Sequence, residues 1–308
     1  MRFFIFKQCK IKLLKILFKI SLNKLCVFKK RKYICSLFLI NLNKMKKYLL
    51  LTLLSPICLL AQDRIFNYTY QSNVLNSGQK ELEVWTTFLT GKANYYREIQ
   101  NRVEYEVGLG SNLQVAFYLN SKQKAGFDDV TGEIVMKPTE ISISNEWKYK
   151  ISDPVADKIG FAAYGELSIA TDELEIELKA IFDKKIGRTL HAVNLIFEPE
   201  WETTTVGGKV ATNTALKYDV NYAFAYNINK SLNLGAEIIN RNVYFKNDKS
   251  TISALFGGPA ISYSTNKLWV NLTALPQIAG LHNPDGMTGV NLDQWTKFET
   301  RLAFSFAF

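Results

Sequence analysis

The sequence predicts an all-β chain, folded as a transmembrane antiparallel up-and-down β-barrel of about twelve strands. Three observations support this fold. Apolar and polar residues alternate with a period of two through most of residues 80–308, which indicates strands with one apolar and one polar face. Short polar turns alternate along the chain with a second set of connections, three of which are long. After residue 61, no apolar run reaches the roughly eighteen residues that a membrane-spanning helix needs.

Residues 1–44 differ in composition from the rest of the chain. They contain twelve Lys or Arg residues and no Asp or Glu, and Phe, Ile, Leu, Lys and Asn dominate. Such a segment could be a basic amphipathic stretch that binds a membrane surface, or an organelle transit peptide. Transit peptides favour Arg, Ser and Ala over Lys, Phe and Ile. We interpret residues 1–44 as a mis-annotated upstream extension, translated from a start codon placed too early.

Residues 45–61 have the layout of a secretory signal peptide. Met45 and two lysines precede an apolar run, and Ala61 supplies the small residue for cleavage before Gln62. Removing residues 1–61 removes all four cysteines and leaves 24 basic and 28 acidic residues, a net charge of −4 instead of +10. The basic balance of the whole chain therefore gives no reason to expect a nucleic-acid partner, and disulfide chemistry is not expected.

Residues 62–79 form a polar leader, which we predict to be a periplasmic or plug-like segment, and residues 80–308 form the barrel. Five short turns are predicted at 108–112, 153–158, 183–188, 227–231 and 264–267. Between them lie six other connections at 91–94, 121–139, 171–172, 202–213, 247–250 and 276–294. The alternation predicts twelve strands, with short turns at the periplasmic side and longer loops at the extracellular side.

The last strand carries a recognisable pattern. Every second residue from Phe298 is apolar or a small Thr, and the chain ends on Phe308. This strand resembles the closing strand of bacterial outer-membrane β-barrels. The resemblance implies a Gram-negative outer-membrane location, contact with outer-membrane lipid and lipopolysaccharide, and recognition by the barrel-assembly machinery through Leu302, Phe304, Phe306 and Phe308. The signal-peptide ending and the composition of residues 1–44 suggest a Bacteroidota-like source.

If the apolar face meets lipid, the charged face lines the lumen. The predicted lumen-lining residues are Arg102, Glu104, Glu106, Glu146, Lys148, Glu166, Glu173, Glu175, Glu177, Lys217, Asp219, Glu237, Arg241, Lys297, Glu299 and Arg301. These charges could pair across strands and fill a narrow lumen, or line a water-filled path. Barrels of about eight strands are filled by side chains and those of about sixteen are open, so twelve leaves both alternatives. We favour a narrow or plugged lumen.

Aromatic residues are predicted to form two rims at the membrane interfaces. The outer rim would contain Tyr95, Tyr96, Trp201, Tyr244, Phe245 and Trp295. The periplasmic rim would contain Trp147, Tyr149, Tyr226, Tyr263, Trp269 and Phe308. A soluble antiparallel barrel would alternate in the same way, but it would need neither the rims nor the export signal.

Catalytic and metal-binding patterns are weak. Barrel phospholipases pair a Ser with a His, but neither His191 nor His282 has a Ser motif beside it, so we expect no enzyme activity. Asp128, Asp129 and Glu133 could bind Ca²⁺, but they lack a full ligand spacing and are better explained as a solvated acidic loop. No cofactor and no metal are expected.

The sequence leaves three functional hypotheses. The first is a narrow channel or binding barrel for small hydrophilic or amphipathic solutes. The alternative is a closed structural or adhesive barrel whose extracellular loops bind a partner. The remote third is an outer-membrane lipid hydrolase.

Overall fold

A computed structural model describes residues 64–282 and 289–308, except for the side chain of Val206. The predicted extension, signal peptide and cleavage site at Ala61–Gln62 lie outside these residues. The described chain contains thirteen strands: β1 (Lys80–Thr90), β2 (Tyr96–Gly110), β3 (Leu113–Asp128), β4 (Glu133–Met136), β5 (Glu140–Ser152), β6 (Gly160–Ala170), β7 (Glu173–Ile186), β8 (Thr189–Val206), β9 (Lys209–Asn227), β10 (Leu232–Phe245), β11 (Ser250–Ser264), β12 (Leu268–His282) and β13 (Phe298–Ala307). No helix in the described residues has the length and apolar character needed to cross a membrane.

Twelve of these strands close into an antiparallel barrel, as predicted. Each pairs with its neighbours in the sequence, except that β3 pairs directly with β5 and β4 pairs with β3 alone. The barrel closes between β1 and β13, whose register runs from Glu81 opposite Ala307 to Thr90 opposite Phe298. Closure leaves no free sheet edge in the barrel wall, so the strands satisfy one another's backbone groups.

The connections form two ends, which we call the turn end and the loop end. The turn end holds five short connections, from the β2–β3 turn to the β11–β12 turn. In the β2–β3 turn both Ser111 and Asn112 have positive φ, as in the tight turns that match the twist of a hairpin. In the β5–β6 turn the Asp153 carboxylate accepts the N–H groups of Val155 and Ala156, and these bonds lower the pKa of Asp153.

Three segments predicted as loops are strands at least in part, and one of them is 276–294, where β12 continues to His282. The β8–β9 ladder continues through residues 202–206 and 209–213 to a two-residue turn at Gly207 and Gly208. Strand β3 likewise continues through residues 121–128 and pairs with β4, which makes the extra strand. The last two of these segments are strand extensions at the loop end, and we call the second one, residues 125–136, the β3–β4 extension.

The two faces of the barrel reverse the packing of a soluble protein. Each barrel strand exposes a large apolar side chain on the outer face, between 40% and 61% accessible: Leu82, Val103, Phe117, Ile143, Leu167, Leu178, Leu195, Val220, Ile238, Ile261, Leu272 and Leu302. Fully buried on the inner face are Glu83, Glu104, Glu146, Glu237 and Glu299. The polar side chains are inside and the apolar ones outside.

Two predicted rim aromatics are placed differently by the structure. Trp269 is only 3% exposed and points into the lumen, where its indole N–H donates to Glu81. Trp295 is half-buried and packs against inward-facing residues of β10–β12. Trp269 alternates in phase with the inward-facing Asn271 and Thr273, and Trp295 precedes β13 and does not lie on a strand. Trp147, Tyr149, Tyr263 and Phe308 are exposed.

Candidate functional site in the barrel lumen

The lumen contains the chain's own residues 64–79, which we call the luminal segment. Its side chains Phe66, Asn67, Thr69 and Ser72 are at most 1% exposed. The segment makes hydrogen bonds with nine of the twelve barrel strands: β1, β2, β3, β7, β8, β9, β10, β12 and β13. These strands surround the whole ring, so only a segment inside the barrel can reach them all.

The central anchor of the luminal segment is the carboxylate of Glu237 on β10. One of its oxygens accepts the N–H of Asn67 at 2.9 Å and the other accepts those of Tyr68 and Thr69, at 2.9 and 2.8 Å. The hydroxyl of Thr273 on β12 donates a fourth hydrogen bond at 2.8 Å. Three successive N–H groups that converge on one anion form a nest, an arrangement that binds anions strongly.

Side-chain amides and carboxylates hold the rest of the segment. Asn194 on β8 accepts the N–H of Tyr70 at 2.5 Å and donates to its carbonyl oxygen at 2.9 Å. The side chain of Asp183 on β7 accepts both the N–H and the hydroxyl of Ser72. Since almost all these bonds replace water at buried polar groups, each one lost would leave an unsatisfied group inside the barrel.

Two tyrosines of the segment lie between cations of the wall. The Tyr68 ring is 4.0 Å from the guanidinium carbon of Arg301, and the Tyr70 ring is 4.1 Å from the ammonium of Lys179. Tyr70 also packs edge-on against Tyr164, with ring centroids 5.4 Å apart. These cation–π and ring contacts add to the hydrogen bonds and place aromatic rings across the middle of the lumen.

The segment crosses β2 so closely that only glycine fits at the crossing. A Cβ at Gly108 would lie 2.1 Å from the carbonyl oxygen of Asn76 and 2.5 Å from that of Leu75. The Gly108 N–H donates to the carbonyl of Gln79, and the Gly108 carbonyl accepts the N–H of Gly78. The end of the luminal segment is thus hydrogen-bonded directly to the backbone of the barrel wall.

From the loop end, the β12–β13 connection also folds into the lumen. Asn291 and Thr296 are each 5% exposed, and the amide of Gln277 donates to both of their carbonyl oxygens. Trp295 packs with Tyr68 of the luminal segment in one apolar cluster with inward-facing residues of β10–β12. Two segments that enter from opposite ends therefore meet near the middle of the barrel.

A wall of glutamates on β7 and β8 also lines the lumen. Glu173 faces Glu202 and Glu175 faces Glu200 in the cross-strand register, and like charges directly opposite destabilise a sheet. The ammonium of Lys217 on β9 contacts three of the glutamates, with Glu198 and Glu200 in close contact and Glu175 at 3.5 Å. One cation shared among several carboxylates leaves this wall strongly negative.

The structure places most of the predicted lumen-lining residues on the inner face of the wall. Arg102 contacts Glu166 at 3.1 Å, Arg241 pairs with Glu299, and Tyr118 donates to Glu146. Asp219 accepts the N–H of Asn242 at 3.0 Å. Lys297 is the exception: it precedes β13 and is exposed at the loop end, so it does not lie on the wall.

The nest around Glu237 was not predicted, although Glu237 was. Its donors are backbone N–H groups of residues 67–69, which every residue except proline has, so no side-chain pattern marks them. The signals that existed were the inward-facing asparagines Asn194, Asn221 and Asn271, each of which donates to a carbonyl of the segment.

The histidines and the acidic loop considered as catalytic or Ca²⁺ sites make simple contacts. His191 lies on β8 near the turn end and its Nδ1 is 3.0 Å from the hydroxyl of Tyr222. His282 is exposed at the end of β12, and residues 283–286 of its loop lie outside the described residues. Asp128 accepts the N–H groups of Val130 and Thr131, which is turn chemistry. The expectation of no enzyme activity stays a prediction.

With this geometry in place, the chain can be compared with known proteins. A family model described as "Family of unknown function (DUF6662)" matches residues 59–308, which include the luminal segment and every barrel strand. The chain belongs to the DUF6662 family. No curated protein matches the chain significantly.

Solved structures similar to this DUF6662 barrel are bacterial barrels of low sequence identity. The NanC porin is 12% identical, with a TM-score of 0.44, and the match covers 73% of this chain and 98% of NanC. The β domain of the Bordetella autotransporter BrkA is 9% identical, with a TM-score of 0.48, covering 76% and 100%. The translocator domain of NalP from Neisseria meningitidis is 11% identical, with a TM-score of 0.45, covering 77% and 91%.

Proposed function

We propose that this DUF6662 protein is an outer-membrane barrel that binds small, positively charged solutes from its loop end, and that its luminal segment keeps it closed to free passage. The membrane location is supported by the apolar belt that all twelve strands expose. Such a belt is far larger than the apolar patches of soluble monomers. A closed barrel is also one of the two architectures that satisfy all backbone groups in lipid.

The main support for the proposal is the position of the luminal segment inside the lumen. Its hydrogen bonds reach nine strands, and its Tyr68 meets Trp295 from the other end. In the described residues, the cavity beside the segment measures about 30 Å³, the space of about one water molecule. A barrel filled in this way supports binding and gated passage rather than constant flow.

The chemistry of the loop-end half of the lumen supports the class of solute. The glutamate wall of β7 and β8 and the apolar cluster with Trp295 both line this lumen. A small hydrophilic or amphipathic cation would satisfy both surfaces. It would add to the countercharge that Lys217 gives to Glu175, Glu198 and Glu200.

Planar-bilayer conductance of the detergent-purified protein tests this function. We expect the wild-type barrel to stay closed for most of the recording. Glu237→Ala removes the acceptor of the nest and should weaken docking of the segment by about 3 kcal/mol, since it strands three buried N–H groups. Openings should then become about a hundredfold more frequent.

Glu98→Gln is the matched control, because Glu98 is an inward-facing glutamate, 6% exposed, that bonds to Tyr96 and Gln100 and not to the luminal segment. Its openings should be as rare as in the wild type. The open state of Glu237→Ala should prefer cations, and that preference should fall when Glu175 and Glu200 are both changed to Gln. A wild-type barrel that conducts as freely as Glu237→Ala would refute the gated barrel.

One feature favours the adhesive alternative. The β3–β4 extension exposes Val130, Ile134 and Met136, which are 95%, 58% and 58% accessible, at the loop end beyond the barrel wall. An exposed apolar hairpin of this kind is a surface that a partner could cover. If Glu237→Ala remains as closed as the wild type while it is correctly folded, adhesion through this extension becomes the better hypothesis.

A further inference from the structure

Four glutamates form a block on the inner face of β1 and β2, near the turn end. In the antiparallel register Glu81 lies opposite Glu106, and Glu83 lies opposite Glu104. Directly opposed like charges destabilise a sheet, and burial inside the lumen increases the repulsion. This block therefore requires compensating positive charge or protons.

Three of the block's carboxylate groups differ in how they are satisfied. Glu81 accepts the indole N–H of Trp269 at 2.5 Å and the hydroxyl of Ser305. Glu83 pairs with Arg64 of the luminal segment at 2.7 Å. Glu104, by contrast, is 0% exposed, and no hydrogen-bond donor reaches either of its oxygens. The groups beside it in the block are carboxylates, which donate only when they are protonated.

The geometry of three of these carboxylates suits a hard divalent cation. One oxygen each from Glu83, Glu104 and Glu106 lies within 4.8 Å of the others. Ca²⁺ binds oxygens at about 2.3–2.6 Å and accepts irregular geometry, whereas Mg²⁺ requires a near-ideal octahedron and gives up its waters reluctantly, so three buried carboxylates suit Ca²⁺ better. An adjoining cavity of about 30 Å³, lined by Glu83 and Glu106 and also by Arg64 and Lys148, leaves space for one water ligand.

We propose that Glu83, Glu104 and Glu106 bind a Ca²⁺ ion in the lumen of this barrel. The ion satisfies both free oxygens of Glu104 and neutralises the repulsion between β1 and β2. The site does not depend on whether the barrel conducts, so its test is separate from the bilayer experiment.

The second group of close carboxylates, Glu173, Glu175 and Glu200, provides a contrast. There Lys217 contacts Glu175 and Glu200, so a cation of the chain already occupies the centre of the group. In the group on β1 and β2, Arg64 forms its ion pair with Glu83, and neither oxygen of Glu104 has a hydrogen-bond donor. The same protein therefore contains one group of close carboxylates with a lysine at its centre and one group without.

The test is a calorimetric titration of CaCl₂ into the EDTA-treated, detergent-purified protein, together with thermal unfolding. We expect one Ca²⁺ per chain, a higher Tm with Ca²⁺ than with EDTA, and weaker binding of MgCl₂. Glu104→Gln should weaken Ca²⁺ binding tenfold or more. Glu98→Gln, on the same strand and the same face, should bind Ca²⁺ as the wild type does.

Glu106→Gln provides a second variant if Glu104→Gln does not fold, and heat-modifiable gel mobility verifies the barrel in each case. Binding that survives in the folded Glu104→Gln and Glu106→Gln proteins would place the ion elsewhere and overturn the site. A wild-type Tm that is the same with Ca²⁺ and with EDTA, but falls as the pH is raised, would show that shared protons satisfy the glutamates. That result would also overturn it.

Discussion

At the scale of single residues, Gly108 controls how the luminal segment leaves the lumen. Its missing side chain allows the carbonyl oxygens of Leu75 and Asn76 to cross β2. In Gly108→Ala the new Cβ would lie 2.1 Å from the Asn76 oxygen, so the segment must move away. We expect Thr69→Cys, which replaces a fully buried residue, to be protected from a water-soluble maleimide in the wild-type background and to react in Gly108→Ala.

Gly165→Ala is the control for this labelling experiment. A Cβ there would meet Leu178 at 3.6 Å, which is ordinary van der Waals contact, so the segment should stay in place. Equal protection of the engineered cysteine in both alanine variants would show that the crossing at Gly108 does not hold the segment.

Prediction from the sequence works at this scale where side-chain chemistry carries the signal. Glu237 and Glu299 could be assigned to the inner face, because alternation fixes which way each strand residue points. The partner of Glu237 could not be predicted, since a nest depends on the backbone path of residues 67–69. Trp269 shows the opposite failure: its residue type suggested a membrane rim, but its register placed it beside Glu81.

At the scale of elements, β13 combines two properties that can be separated by experiment. Its pairing with β1 and β12 closes the barrel, whereas Phe308 follows the strand and is 63% exposed. We expect deletion of Phe308 to leave the Tm of refolded protein almost unchanged, because little burial is lost. The same deletion should lower the amount of folded barrel in the outer membrane of living cells several-fold, as measured on heat-modifiable gels.

Truncation at the other end of a strand gives the comparison for this experiment. Removing residues 203–206 and 209–212 shortens the β8–β9 extension, keeps the Gly207–Gly208 turn and leaves the β1–β13 pairing untouched, so it should reduce neither stability nor assembly in cells. If removal of Phe308 has as little effect in cells, the terminal aromatic does not act as an assembly signal.

The strands could be predicted from the sequence wherever one of their faces contacts lipid. Within the barrel wall, one face must be apolar, so alternation marks each strand. Beyond the wall this constraint ends: residues 202–205 are Glu and three Thr, and residues 121–124 are all polar. These stretches pair through their backbones and through polar side chains, such as Lys122 and Lys124 with Glu140, so no apolar alternation marks them and they were mistaken for loops.

At the scale of the whole molecule, closure should be reversible when the luminal segment is tied to the wall. The Ser72 hydroxyl lies 2.5 Å from the Asp183 carboxylate, so cysteines at both positions should form a disulfide. In the Glu237→Ala background we expect the oxidised Ser72→Cys, Asp183→Cys barrel to be silent in a bilayer. Addition of a reductant should restore the frequent openings of Glu237→Ala.

The reduced and oxidised forms of one protein are matched in everything except the tether. The described residues contain no other cysteine, so no competing bridge can form within them. Conductance that is indifferent to the reductant, in protein shown to be fully cross-linked, would mean that current does not pass where the segment lies.

The ring of partners around the luminal segment has a consequence for how the barrel is made. The segment precedes β1 in the chain, yet its hydrogen-bond partners extend to Thr273 on β12 and the carbonyl of Arg301 on β13. A half-built barrel offers only part of that set, and an unclosed sheet offers no enclosed site for it. The segment can therefore dock fully only after β1 has paired with β13. Burial of the segment thus indicates that the barrel has finished assembling.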